Sequence, residues 1–290
     1  ALSAGPAAGR DLTIVSWNLQ WFPGRIPFAR SEARQQHMAA AQAELRALDP
    51  DVFLAQEITS ERSFRELVSV LPGMQVAVVS SFDRMNSPKA QQVGIATRLP
   101  TRSAWSAMWD PAPHHPPRGY ALAAIDMGED GTLLVYNVHL KSNRTEPGLS
   151  LEQCVGQREE AVRQLLHHVE AMTAEFRKRG AVATVVAGDF NTNREHLDLA
   201  AEQTLALMAE AGFVDGWQGV ALPQRLTWMG SPDFPPCTFD YLFTRGAVMG
   251  GVKVMAPASE ASDHRPVVGR VDPRQRLNES RASREDGGRL

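Results

Sequence analysis

At 290 residues, with 43% hydrophobic and 22% charged residues, the chain is long enough to bury a sizeable core and has the composition of an ordinary globular protein. No run of about eighteen apolar residues exists, which excludes a membrane-spanning helix. The net charge of -3 argues against holding nucleic acid by charge alone, yet it allows an enzyme that meets a phosphate with the help of a bound cation.

Strand-like and helix-like segments alternate along the chain. The first ten residues open Ala1-Leu2-Ser3 without a Met and read as a flexible segment. A trimmed terminus makes secretion or a periplasmic location the expectation, with the cytoplasm as the alternative. Residues 12–19 read as a strand, and residues 32–48 as a helix stopped by Asp49-Pro50. A short buried strand follows at 51–56, then a helix at 61–71 ended by Pro72-Gly73. Strands are predicted at 76–79, 92–97, 103–109, 121–126 and 133–139, separated by turn residues such as Glu129-Asp130-Gly131. Helix returns at 157–179, a strand at 183–187 and a helix at 197–211. The last strands are expected at 239–244, 248–255 and 265–271. Residues 272–290 form a charged tail, expected to be disordered. No linker divides residues 11–271, so they read as one domain. Helices must cover the outer faces of the strands, which predicts an α/β architecture layered helix, sheet, sheet, helix.

Polar groups recur where the apolar strands end: Trp17-Asn18, Gln56-Glu57, Asn137-Val138-His139, Gly188-Asp189-Phe190-Asn191, Asp240-Tyr241 and Ser262-Asp263-His264. Any one of these is unremarkable, since an Asn caps a turn and a strand-end Asp is common. A carboxylate after Leu54-Ala55-Gln56 and another after Val185-Val186-Ala187-Gly188 are harder to dismiss, because a buried carboxylate needs a partner or a cation. Two imidazoles and four carboxylates in such contexts point to oxygen-rich cation binding beside acid–base groups.

Other tempting features have plainer readings. His114-His115 and His167-His168, even with Cys154 or Cys237, match no compact zinc motif and are treated as structural or exposed. His37 is expected at the surface of the first helix. Cys154 and Cys237 fit either a single bridge or two free thiols. Trp105, Met108 and Trp109 read as core more readily than as a substrate groove or a lipid-inserting edge.

Taken in order, the six motifs resemble the endonuclease/exonuclease/phosphatase superfamily, the deoxyribonuclease I-like fold, over residues 11–271. That resemblance implies a catalytic domain built as a four-layer α/β/β/α sandwich with two mixed, mainly antiparallel sheets. It also implies divalent-metal-dependent hydrolysis of phosphoesters. On this chain, Glu57 would be the principal ligand of Mg²⁺ or Mn²⁺, with Ca²⁺ as an auxiliary ion. Asn18 would complete the metal and phosphate environment, and Asp263 would sit beside the metal. Asp189 would orient or deprotonate the attacking water, and Asn191 would donate to the phosphate. His139 and His264 would face the phosphoryl oxygens, with Asp240 orienting His264. Arg118 and Lys141 match more loosely as phosphate contacts. One departure stands out. The nucleases of this superfamily pair the first histidine with a Glu, whereas here the matching candidates are Gln91 and Gln92; a neutral amide would orient His139 without raising its pKa.

The Asn137-Val138-His139 motif is closer to the deoxyribonuclease I and sphingomyelinase-like branches than to the abasic-site endonucleases. A nuclease acting on nucleic acid is the first expectation, and a lipid or small-molecule phosphodiesterase or phosphatase the second. From another class, a catalytically silent binding module is opposed by the intact set Glu57, Asp189, Asp240, Asp263, His139 and His264. A monomer without a stable protein partner is expected.

Overall fold

Alternation in the first strand sets the two faces on which the molecule is built. In β1 (Leu12–Phe22), Leu12 and Ile14 face one core, while Val15, Trp17 and Leu19 face another. A computed structural model describes residues 11–82, 90–145, 147–232, 234–256 and 261–273. The expectations for segment 1–10 and for most of the tail lie outside these residues.

From β1 the chain crosses over through α1 (Ser31–Leu48) to β2 (Val52–Ile58), which pairs parallel to β1. The short helix α2 (Glu61–Val68) is capped by Ser60, whose Oγ accepts from the Ser63 N–H at 3.2 Å. β3 (Gln75–Val79) and β4 (Gln92–Thr97) follow as an antiparallel pair, β4 lying beside β2. β5 (Thr101–Met108), β6 (Gly119–Asp126) and β7 (Thr132–His139) then form an antiparallel meander. A second crossover, α3 (Leu151–Arg177), delivers β8 (Val182–Asp189) parallel to β7. After α4 (Thr204–Glu210) come the short β9 (Val214–Asp215), β10 (Asp240–Arg245), β11 (Val248–Val254) and β12 (Val267–Asp272).

The result is two six-stranded sheets, ordered β11-β12-β1-β2-β4-β3 and β5-β6-β7-β8-β10-β9. Each holds one parallel pair among antiparallel neighbours, so the mixed, mainly antiparallel sandwich is what forms. One core lies between the sheets and beneath α3, with Ile14, Leu54, Ile95, Val135 and Val185 fully buried. A second lies between the first sheet and helices α1 and α2, around Trp17, Phe53, Phe64 and Leu45. Because β7 and β8 are covered on both faces, they read as nearly continuous apolar runs rather than alternating ones.

Some details depart from the sequence reading, and others decide between its alternatives. α3 begins six residues earlier than predicted, at a capping box in which Ser150 and Gln153 bond reciprocally at 3.2 and 2.7 Å. The helix expected over 197–211 is a single 3₁₀ turn, Leu197–Leu199, followed by α4. The break falls where Glu202 turns inward to an arginine of α3. His37 is buried rather than exposed, at 4%, because its ring packs edge-on to Phe22 and its Nδ1 accepts from the Gly24 N–H at 2.8 Å. Of the two alternatives left open for Cys154 and Cys237, the free thiols are what forms: both are buried and no bridge joins them. Of the three residues near the end of β5, Trp109 is buried, Trp105 half-buried and Met108 exposed.

Candidate active site

Strand register assembles the site. The parallel pair β7–β8 places His139 directly opposite Asp189, and the antiparallel pair β8–β10 places Asp189 opposite Asp240. Facing strands point paired residues to the same side. His139, Asp189 and Asp240 therefore form one row across the second sheet. In the first sheet, β1–β2 pairing sets Asn18 opposite Gln56, with Glu57 one residue further on. The segment entering β12 brings Ser262-Asp263-His264 to the same edge. There Ser262 Oγ donates to the Asn18 carbonyl at 2.6 Å, and the Trp17 indole N–H donates to the His264 carbonyl at 3.0 Å.

Beneath this row the two sheets are pinned together by a buried amide. Asn137 donates to the carbonyls of Ala55 and Gly94 at 2.9 and 2.8 Å and accepts from Gln56 Nε2 at 2.7 Å. This cross-sheet contact fixes the spacing of Glu57 relative to His139.

The backbone is strained where the side chains converge. Gln20, Trp21, Glu57, Arg118 and Asn191 all have positive φ, between 50 and 69°. Each such non-glycine residue costs on the order of 1 kcal/mol, a burden that clusters at functional sites. Gly188 meets a harder limit: at φ 146°, a Cβ there would lie 1.9 Å from the Val138 carbonyl oxygen. Only glycine lets β8 approach β7 closely enough to present Asp189.

The side chains form one connected network. Asn18 Nδ2 donates to Asp189 Oδ2 at 2.9 Å and to Glu57 Oε1 at 3.2 Å. The other Glu57 oxygen accepts from the Trp21 N–H at 2.9 Å. Nε2 of His139 lies 3.5 Å from Asp189 Oδ2 and 3.8 Å from Glu57 Oε1. Nε2 of His264 lies 3.9 Å from the same Asp189 oxygen, while its Nδ1 is 2.7 Å from Asp240 Oδ2. The Asn191 backbone N–H donates to Asp189 Oδ1 at 2.9 Å, and its side chain donates to the Leu140 carbonyl at 3.1 Å. Asp263 is exposed and accepts from the Trp228 indole N–H at 3.4 Å.

The two histidines are driven in opposite directions. Burial holds His139 well below its ordinary pKa, with the charges of Arg118, His264 and Lys141 adding to the effect. Burial also works against protonating His264, but the carboxylates of Asp240 and Asp189 outweigh it and push its pKa up to about 10. His139 is thus neutral and His264 cationic at neutral pH, an arrangement suited to separate donor roles. Burial raises the pKa of Asp189, with Asp240 and Glu57 adding to it against His264 and Asn18. Glu57 is raised too, again chiefly by burial.

Three buried or half-buried carboxylates share one histidinium, so the site carries excess negative charge that a hard cation would neutralise. The carboxylate oxygens of Glu57 and Asp263 are of the kind that suits Mg²⁺ or Mn²⁺, whereas Asn18 turns its amide nitrogen toward Glu57 and its Oδ1 accepts from the Gln20 N–H at 3.0 Å. Ligand atoms of Asp189, Asp240 and His264 also lie within 4.8 Å of one another. That trio is the poorer seat, because a protonated His264 bonded to Asp240 turns its second N–H, not a lone pair, toward Asp189.

The looser candidates are occupied in ways the sequence did not suggest. Arg118 Nε donates to the His139 carbonyl at 2.8 Å and its Nη2 to the Leu140 carbonyl at 2.5 Å, so it grips the backbone of the histidine loop. Lys141 donates to the carbonyls of Ser142 and Arg144 at 3.2 and 3.0 Å. Neither glutamine orients His139. Gln92 bonds to Ser80, Phe82 and Ala90, Gln91 accepts from Arg118 at 3.3 Å, and His139 Nδ1 has no partner among the described residues.

Beside His264 lies an aromatic shelf that sequence reading missed. His196 and Phe234 stack with centroids 4.6 Å apart, and Phe234 packs on Trp228 and Phe239 at 6.0 and 5.9 Å. Phe239 in turn lies 6.5 Å from the His264 ring. The only signal was the recurrence of aromatics at Trp228, Phe234 and Phe239, in a segment whose Gly230, Pro232, Pro235 and Pro236 read as a plain loop.

Comparison with known proteins agrees with this fold. The fold is shared with an endonuclease/exonuclease/phosphatase from Beutenbergia cavernae at TM-score 0.65 and 21% identity, covering 91% of this chain and 72% of that one. It is also shared with TDP2 from Caenorhabditis elegans, at TM-score 0.62 and 15% identity over 90% and 75% of the two chains. A mannosyl-6-phosphatase from Bacteroides thetaiotaomicron superposes at TM-score 0.59 and 18% identity, over 90% of this chain and 99% of that one. No curated protein matches the sequence. The sequence profile of one family spans residues 15–264, from the first strand through the histidine paired with Asp240, and the chain belongs to that family, the Endonuclease/Exonuclease/phosphatase family.

Proposed function

We propose that the protein is a divalent-metal-dependent phosphodiesterase that cuts nucleic acid, a nuclease of the deoxyribonuclease type. The observation that carries this reading is the row of His139, Asp189, Asp240 and His264, with Asn18 and Glu57 closing it from the other sheet.

In this reading Asp189, held by Asn18 and the Asn191 N–H, orients a water and takes its proton. Glu57, with Asn18 and Asp263 beside it, would hold a divalent cation, which would supply charge neutralisation for the phosphate. His264, held as a cation by Asp240, donates to a phosphoryl oxygen as negative charge grows. His139 stays neutral and donates from Nε2 on the opposite side. Asn191 and Lys141 border the phosphate, while Arg118 acts by fixing the loop that carries His139. Positioning and electrostatics supply most of the rate enhancement in such displacements.

The aromatic shelf favours nucleic acid over other phosphoesters. Trp228 and Phe234 are only half-buried beside His264, and a ring face next to a phosphate site suits a stacked base. A second reading, a lipid or small-molecule phosphoesterase, is favoured by Ile26 and Phe28, which are 61% and 74% exposed on the loop after β1. The purified protein should be assayed on plasmid DNA, RNA, bis-p-nitrophenyl phosphate and sphingomyelin with Mg²⁺, Mn²⁺ or EDTA. DNA cleavage lost in EDTA is expected. Turnover of sphingomyelin alone would overturn the nuclease reading, and no hydrolysis of any ester would overturn the enzyme.

A further inference from the structure

A buried arginine on α3 reaches the active-site loop from below. Arg158 is fully buried, with its Nε and Nη2 gripping both oxygens of Glu202 at 2.7 and 2.6 Å. The remaining arm, Nη1, donates to the Lys141 carbonyl at 2.9 Å. Glu202 is held in turn by the Thr204 hydroxyl at 2.5 Å. Arg158 occupies the apolar register of α3, one turn after Cys154 and one turn before Ala161 and Val162, where an apolar residue would ordinarily pack. A bidentate pair this deep gives little net stability, since desolvation offsets most of the attraction. Its geometry is nevertheless specific, because only a guanidinium can fork onto a carboxylate and still offer a third donor.

That third donor lands in a row. Arg118 takes the carbonyls of His139 and Leu140, and Arg158 takes the next one, Lys141. The same stretch is tied to the Asp189 loop: the Leu140 N–H donates to the Asp189 carbonyl at 2.9 Å, Asn191 donates to Leu140, and Asn143 donates to the Asn191 carbonyl at 3.0 Å. We propose that Arg158 is a positioning residue, which Glu202 aims at the Lys141 carbonyl so that the loop 139–143 holds His139 against the row of acids. This rests on the phosphodiesterase reading, and the test keeps the two apart.

The test variant is Arg158→Met/Glu202→Gln, which removes both buried charges together and keeps an acceptor for Thr204, so the fold should survive. Arg158→Lys is the companion, retaining the charge without the fork. A control, Arg163→Met on the same helix, loses only surface pairs with Glu159 and Glu160 at 3.0 and 3.9 Å. Two quantities are measured in each: amide hydrogen exchange across residues 139–144, and kcat on a substrate that the wild type turns over. In both Arg158 variants exchange should rise in that segment alone, and kcat should fall about tenfold to a hundredfold, the usual cost of loosening a group that orients an active-site residue. The control should match wild type. Unchanged exchange in 139–144 would overturn the proposal whatever the activity, as would faster exchange with wild-type kcat. A wild type inert on every phosphoester tells against the phosphodiesterase reading instead, and the exchange arm still decides whether Arg158 restrains the loop.

Discussion

Nδ1 of His264 lies 2.7 Å from Oδ2 of Asp240, and this contact determines what His264 can do. It fixes the ring so that Nε2 faces Asp189, and it keeps the proton on the imidazole against a burial cost that would otherwise remove it. Asp240→Asn retains the shape but offers an amide that can hold the neutral ring in the wrong tautomer. The expected result is a loss of about a hundredfold or more in kcat with little change in melting temperature. A steady-state comparison on bis-p-nitrophenyl phosphate checks this, and a rate within about threefold of wild type would remove His264 from the chemistry.

Glu57 tests the cation. Its oxygens accept from Asn18 Nδ2 and the Trp21 N–H; Glu57→Gln keeps one of these two acceptors at a half-buried position and removes the charge nearest the proposed metal. Wild-type protein should gain thermal stability on adding Mg²⁺ or Mn²⁺, because a ligand bound only by the folded state stabilises it. The variant should lose that gain, with divalent affinity falling about a hundredfold or more, at least the cost seen for residues that merely orient ligands. Equal metal-induced shifts in both proteins would move the ion elsewhere.

The glutamine substitution in β4 bears on His139. Gln92 closes a buried ring of bonds: it accepts from Ser80 Oγ and the Phe82 N–H, and donates to the Phe82 and Ala90 carbonyls. Restoring a carboxylate through Gln92→Glu should therefore bring no gain in activity. It aims a charge at the Phe82 carbonyl and should cost roughly 1–3 kcal/mol. Urea unfolding measures the loss. A rise in kcat would show that position 92 does reach His139.

The sandwich was legible because helical spacing and apolar runs survive as patterns in the chain, and the six polar motifs mark the strand ends at one edge. What escaped depends on contacts between distant segments. Arg158 looks like any helical arginine until its register on α3 is laid over Cys154 and Leu165. His37 looks like a surface residue until the Gly24 amide and Phe22 close over it. Nor can spacing reveal that Arg118 turns to carbonyls instead of outward, since its positive φ exists only in the folded backbone.

His37 gives the fold its own pH response. Burial lowers its pKa to about 4, outweighing the Ala261 carbonyl, while in the unfolded chain it returns to 6.5. Between these values the unfolded state binds more protons than the folded one. Stability is therefore intact above about pH 6.5 and is lost as pH falls toward 4, by up to roughly 3 kcal/mol. His37→Gln has no proton to gain, and its stability should fall less over that window. Parallel urea titrations at several pH values would show this as a shallower slope, and identical slopes would mean His37 is not the group responsible.

Phe234 separates base recognition from catalysis. It stacks on His196 and packs against Trp228 and Phe239, but it makes none of the hydrogen bonds that orient Asp263 or His264. Truncating it should remove stacking surface and leave the reacting groups in place. Stacking is worth about 1–3 kcal/mol per base, so Phe234→Ala should raise KM for a single-stranded oligonucleotide about fivefold to a hundredfold. Because the loss falls on binding rather than on the transition state, kcat should stay within about twofold. The same variant should leave hydrolysis of a simple dialkyl phosphate, which has no ring to stack, at the wild-type kcat/KM. Equal losses on both substrates would mean that the shelf supports the fold of the site and not the base.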